Sequence, residues 1–70
     1  MSENLKIARE NAGLTLVELA QKADVSRSTL EKAERGTPIR YAYAAKIVNA
    51  LNAQAGTNYT VESLGVSTAR

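Results

Sequence analysis

Residues 15–36 read TLVELAQKADVSRSTLEKAERG, and the spacing within this stretch decides the fold. Thr15 opens a segment in which Leu19, Ala20 and Ala23 recur at helical intervals. Ala23-Asp24-Val25 breaks the period. Ser26 reopens it, with Leu30 and Ala33 on the inner face, and Gly36 closes it. Two short helices joined by a tight turn make a helix-turn-helix unit. The remainder of the chain reads as scaffold for its second helix, residues 27–35.

The ends of these two helices are marked locally. Thr15 and Glu18 stand at capping-box spacing, in which each satisfies a free backbone amide of the other. Asp24 sits where the chain leaves helical geometry, through a left-handed conformation that a short polar side chain tolerates. Val25 returns to the core and Ser26 caps the next helix. Arg27, Ser28 and Lys32 then face outward. Ala20 faces the following helix near the crossing point, where a longer side chain forces the two apart.

Upstream, residues 3–12 form a first helix with Leu5, Ala8 and Ala12 as its inward stripe. Gly13 follows at the C′ position, and Leu14 packs inward. Ile7 lies off the stripe. Downstream, Gly36-Thr37-Pro38 is a loop, because Pro38 pushes Thr37 to an extended conformation. Residues 40–52 form a fourth helix with Ala44, Ile47, Val48 and Leu51 as its core stripe, extended by Tyr41; Tyr43 reads equally as core edge or as a sugar or phosphate contact. Residues 53–59 hold turn formers. Thr60 caps a short fifth helix carrying Val61 and Leu64, and the chain frays from Val66. The expected architecture is all-α: five helices in one domain spanning residues 1–70, with the helix-turn-helix at 15–36 and a short helix and tail at 60–70.

Seventy residues make one small domain. The chain has no cysteine and no histidine. Disulfides and zinc–thiolate sites are therefore excluded, and the commonest general base is missing. No carboxylate pair, phosphate-cradling glycine loop or metal-ligand cluster takes their place, so neither an enzyme nor a cofactor is expected, and no small-molecule ligand is evident. The net charge is +2, which permits nucleic-acid binding without demonstrating it. Its distribution says more: Arg27, Lys32, Arg35 and Arg40 fall close together, against Glu31 and Glu34. No apolar run reaches signal-peptide or membrane length. A cytoplasmic protein of bacterial or phage origin, nucleoid-associated when bound, is the expectation.

The strings Leu5…Arg9…Gly13-Leu14-Thr15, Glu18-Leu19-Ala20-Gln21-Lys22-Ala23 and Val25-Ser26…Leu30…Glu34-Arg35-Gly36 resemble the lambda-repressor-like (Cro and Xre-type) helix-turn-helix regulators. Lys46-Ile47…Ala50-Leu51 resembles that family's fourth helix. The match covers roughly residues 5–52 and joins the ELA run, the VS cap and the ERG ending at family spacings. It implies a five-helix domain that binds double-stranded operator DNA, often as a two-fold dimer. It also implies a structural ion pair between Arg9 and Glu34 that locks the third helix against its support.

Site residues follow from the same resemblance. Positions matching Ser26, Arg27, Ser28 and Lys32 touch bases in the family, and Lys32 is in reach of either a second guanine or a phosphate. Arg27 is the strongest reader, because its planar fork bonds guanine O6 and N7 together. Thr15, Gln21, Arg35, Thr37 and Arg40 correspond to phosphate contacts. Leu16 departs from the pattern: many relatives carry a polar residue there, and leucine bonds no phosphate. Leu64 and Val66 are taken from their C-terminal position as the dimer surface.

Two other readings stay open. The chain is alternatively a protein-binding module, such as an antitoxin or adaptor, for which residues 53–70 offer a short apolar patch. Or it is the DNA-binding head of a longer regulator, since Arg70 ends without an evident stop structure.

Overall fold

The computed structural model describes residues 3–69. Among the described residues there are four helices: α1 (Glu3–Asn11), α2 (Leu16–Ala23), α3 (Arg27–Glu34) and α4 (Tyr41–Ala55). Two short strands complete the fold, β1 (Ile39–Arg40) and β2 (Thr68–Ala69). They pair in parallel, with Ile39 opposite Thr68 and Arg40 opposite Ala69.

The helix ends follow the local chemistry. Thr15 Oγ1 accepts from the Glu18 amide at 3.1 Å, and Glu18 Oε1 accepts from the Thr15 amide at 2.8 Å, closing the capping box on α2. Asp24 ends α2 at φ 57°, ψ 45°, in the left-handed region. Ser26 Oγ accepts from the Thr29 amide at 3.1 Å and so caps α3. Gly13 turns the chain after α1 at φ 75°. α4 starts on Arg40, which makes no side-chain capping bond.

The core is built from the stripes of all four helices. Leu5, Leu19, Leu30, Ile47 and Leu51 are fully buried. Ala20, Ala23, Ala33 and Ala44 are buried among them. These small side chains let short helices cross closely, which a chain without Phe or Trp needs in order to fill its interior.

Four expectations are corrected. The first concerns the fifth helix, which does not form: Val61–Gly65 make a single turn instead. Thr60 Oγ1 caps that turn through the Ser63 amide at 2.9 Å. Gly65, at φ 69°, then ends it before a second turn begins. Second, the chain does not fray at Val66. It runs extended so that Ser67 accepts a hydrogen bond from the Ile39 amide at 3.1 Å, and β2 follows; Arg70 lies outside the described residues.

Third, Leu64 and Val66 are 3% and 7% exposed, so both belong to the chain's own core and offer no dimer surface. Val61, Leu64 and Val66 together supply the apolar cover that a fifth helix was expected to provide. Fourth, Tyr41 is 53% exposed rather than core. It is the first residue of α4, so it projects beyond the stripe that begins at Ala44. The apolar residue that does enter the core here is Ile39, in β1.

Candidate nucleic-acid interface

The exposed arc of α3 follows from its periodicity. With Leu30 and Ala33 fully buried, 3.6 residues per turn place Ser28 and Arg35 near the middle of the outward face. Arg27 and Glu31 fall on one flank of that face. Lys32 and Thr29 fall on the other. Arg27, Ser28, Lys32 and Arg35 are all exposed.

Arg9 and Glu34 hold the helix from behind. Arg9 Nε donates to Glu34 Oε2 at 2.6 Å, and Arg9 Nη2 donates to Glu34 Oε1 at 3.2 Å. Their side chains retain only 11% and 10% exposure. Arg9 Nη1 also donates to the Leu14 carbonyl at 2.9 Å. One guanidinium thus ties α1 to the end of α3 and to the loop that leads into α2. A two-pronged charged contact fixes orientation as well as distance.

The exposed polar groups differ in how free they are. Arg27 Nε lies 3.6 Å from Glu31 Oε2, an i,i+4 pair open to solvent. Such a pair contributes about 0.3–0.5 kcal/mol, so Arg27 is readily redirected to another acceptor. Ser26 is more committed. Its hydroxyl donates to Thr29 Oγ1 at 2.8 Å while it accepts from the Thr29 amide. Only acceptor capacity is left on Ser26, which weakens it as a donor to DNA.

Glu18 closes the capping box at the start of α2. Its pKa lies below the usual glutamate value, chiefly because its carboxylate accepts the Thr15 backbone hydrogen bond, then through the Thr15 side chain, with a smaller contribution from Lys22. The carboxylate therefore stays charged at the start of α2, where it complements the helix dipole. Thr15 and Gln21 are exposed on α2.

Two of the candidate phosphate residues, Arg40 and Arg35, line separate clefts beside α3. Lys32 and Arg40 share one with Thr29, Pro38, Tyr43 and Ala69. Arg35 lines the other with Lys6, Arg9, Leu16, Glu31 and Glu34. Thr37 is exposed in the intervening loop. Tyr43, which reads from sequence as core edge or as a sugar or phosphate contact, is exposed at the Arg40 cleft; Thr29 is not among the sequence-predicted site residues, although it stands three residues after a serine cap. Among the described residues no group of His, Cys, Asp or Glu could hold a metal ion.

The decisive comparison is with known families. The model of the helix-turn-helix family HTH_3 matches residues 5–55. The chain belongs to that family. The matched span runs from Leu5, the first core residue of α1, to the last residue of α4, and so contains the whole helix-turn-helix with both of its flanking supports. HTH_3 proteins are Cro- and C1-type DNA-binding regulators, not typically enzymes, and the lambda-repressor-like resemblance agrees with this membership. No curated protein and no solved structure matches the chain significantly. None of the helices among the described residues is long and apolar enough to cross a membrane.

Proposed function

We propose that this HTH_3 protein is a sequence-specific transcriptional regulator, acting as a repressor that occupies a near-palindromic operator as a homodimer. The observation that carries the reading is the geometry of α3. Its apolar face is buried, Arg9 clamps its end, and its outward arc presents Arg27, Ser28, Arg35 and Lys32 to solvent. A helix clamped from behind with a basic outward face suits insertion into a major groove. Repression then needs no chemistry beyond occupancy. The setting that suits this role is the cytoplasm of a bacterial cell, with the gene in a bacterial or phage genome.

Within this reading Arg27 is the base reader, worth about 1–3 kcal/mol of discrimination at a guanine. Ser28 is a second, weaker one. Ser26 contributes through its cap more than through a base. Thr15, Gln21, Arg35, Thr37 and Arg40 position the protein on the backbone, as phosphate contacts do. Two copies place their α3 helices roughly 34 Å apart, one turn of the duplex.

Selection of bound sequences from random duplex DNA, read by sequencing, tests the proposal. A palindromic motif with a guanine in each half-site is the expected result. If wild-type protein enriches no sequence while binding all duplexes in a salt-sensitive way, it contacts only phosphate and the specific regulator is excluded. If it enriches nothing and binds nothing, a protein-binding module takes its place.

A further inference from the structure

The charges on α2 and α3 run in opposite senses. On α2, Glu18 stands in the first turn and Lys22 in the last. That order suits the helix dipole, and an acid one turn ahead of a base is the better arrangement for a helix. On α3 the order is reversed. Arg27 is the first residue of α3, the first turn holds no acid, and Glu31 follows one turn later. A cation at the start of a helix and an anion in its second half both oppose the dipole. Helix stability therefore does not account for the Arg27–Glu31 pair.

The geometry suits another use. Arg27 Nε lies 3.6 Å from Glu31 Oε2, and both side chains remain open to solvent. On its other side Glu31 lines a cleft with Lys6, Arg9, Leu16, Glu34 and Arg35. Glu34, the other acid of that cleft, is held by Arg9. Glu31 is the carboxylate left to face Arg27.

We propose that Glu31 is a positioning residue for base recognition: it holds Arg27 by Nε, so that the two Nη groups point as a fork at guanine O6 and N7. The inference rests on the reading of Arg27 as the guanine reader and adds the group that aims it. A guanidinium carries five N–H donors. Glu31 takes the one on Nε, and those on the two Nη atoms suffice for both guanine acceptors. The two demands fall on different edges of one planar group, so they do not compete. In the free protein water screens the pair. In the groove water is displaced, and the same contact strengthens as the local dielectric falls. The carboxylate also repels phosphate on every duplex, and only a guanine contact made through Arg27 offsets that repulsion. Wrong sequences are thereby penalised as well as the right one favoured.

The full chain is titrated by fluorescence anisotropy against a labelled duplex carrying the motif selected from random DNA. It is titrated in parallel against the same duplex with each guanine–cytosine pair of the half-sites changed in turn to adenine–thymine. The ratio of the two Kd values measures discrimination at that pair. Glu31→Ala should lower the largest ratio about fivefold, the low end of what an arginine–guanine fork discriminates. It should also tighten binding to the substituted duplex, because an anion is lost, and should not lower the melting temperature. Glu10→Ala is the control: Glu10 is exposed on α1, and its removal makes the same change in net charge without altering the ratio. Added to Arg27→Ala, Glu31→Ala should leave the ratio where Arg27→Ala alone puts it, since no fork remains to be aimed.

A ratio that Glu31→Ala leaves at the wild-type value, or that Glu10→Ala lowers equally, overturns the inference and leaves Arg27 as the reader. A further fall in the Arg27→Ala background overturns it by making Glu31 a reader in its own right. A fall that comes with a lower melting temperature overturns it by assigning the pair to stability. A selected motif in which no guanine–cytosine pair discriminates overturns the Arg27 reading together with this one. A wild type that enriches no motif overturns both along with the specific regulator.

Discussion

At the scale of single residues, the molecule depends on a few polar side chains that serve more than one neighbour. Arg9 bonds both carboxylate oxygens of Glu34 and the Leu14 carbonyl while nearly buried. Desolvation offsets much of what such a pair contributes, but removing one partner strands the other. Arg9→Ala should therefore cost about 3–5 kcal/mol of stability, read from urea denaturation. A midpoint shift worth less than about 1 kcal/mol would mean the pair behaves like a surface contact. Glu18 makes a different prediction, about pH. Its folded-state pKa is depressed by the Thr15 hydrogen bonds. The stability it contributes is thus present above the ordinary glutamate pKa of about 4.3. That contribution is lost as pH falls through the lower folded-state value. Glu18→Gln keeps an acceptor for the Thr15 amide but does not ionise. The gap in melting temperature between wild type and Glu18→Gln should therefore shrink as pH is lowered from neutral into the acid range; a constant gap would show that the bond does not favour the carboxylate form.

At the scale of elements, the turn between α2 and α3 carries the most strain. Asp24 holds φ 57° without being glycine. That conformation costs an ordinary L-residue about 1–2 kcal/mol, less for aspartate. Its contact with Lys46 at 3.8 Å is exposed and contributes little. Asp24→Gly should accordingly raise stability by up to about 1 kcal/mol, because relief of strain exceeds both the lost contact and the added chain entropy. A lower urea midpoint for Asp24→Gly would reverse that ranking and give the Lys46 contact the larger share. The same turn shows what sequence makes legible. Asp24, Thr15, Ser26 and the alanine and leucine stripes act over one helical turn, so their spacing reveals them. The Arg9–Glu34 contact spans 25 residues and came from resemblance alone. The parallel pairing of β1 with β2 left no trace, since two-residue strands have no period to detect. Thr60 was visible as a cap, but the single turn it starts ends at Gly65, and a cap does not reveal how far a helix runs. Tyr41 misled for a related reason: it matches the α4 stripe in spacing yet sits at the helix's first residue, beyond the core it was expected to join.

At the scale of the whole molecule, the C-terminal segment is a structural part of the domain rather than an appendage. Val61, Leu64 and Val66 are buried in the same core cluster as Leu5, Leu19 and Leu51. Asn52 pins the approach to them: its side-chain amide donates to the Tyr59 carbonyl at 2.9 Å, and its carbonyl oxygen accepts from the Tyr59 amide and the Thr57 hydroxyl. From there the chain passes through Val66 to β2 and so to β1, which lies between α3 and α4. Loss of packing at Leu64 should therefore loosen the support of the loop between α3 and α4 as well as the C-terminal turn. Leu64→Ala should cost about 2–5 kcal/mol, the range for a buried leucine truncated in place. A domain this small has little stability in reserve, and each kcal/mol moves its melting temperature by about 4–8 °C. Leu64→Glu places a carboxylate in that apolar site without a partner and should abolish the fold at every protein concentration. An interface residue would behave otherwise: Leu64→Glu would then give a folded monomer with the wild-type helical circular dichroism, and wild-type melting would rise with concentration while the variant's did not. Circular dichroism melts over a hundredfold concentration range separate the two, because burial within one chain is unimolecular and burial between chains is not.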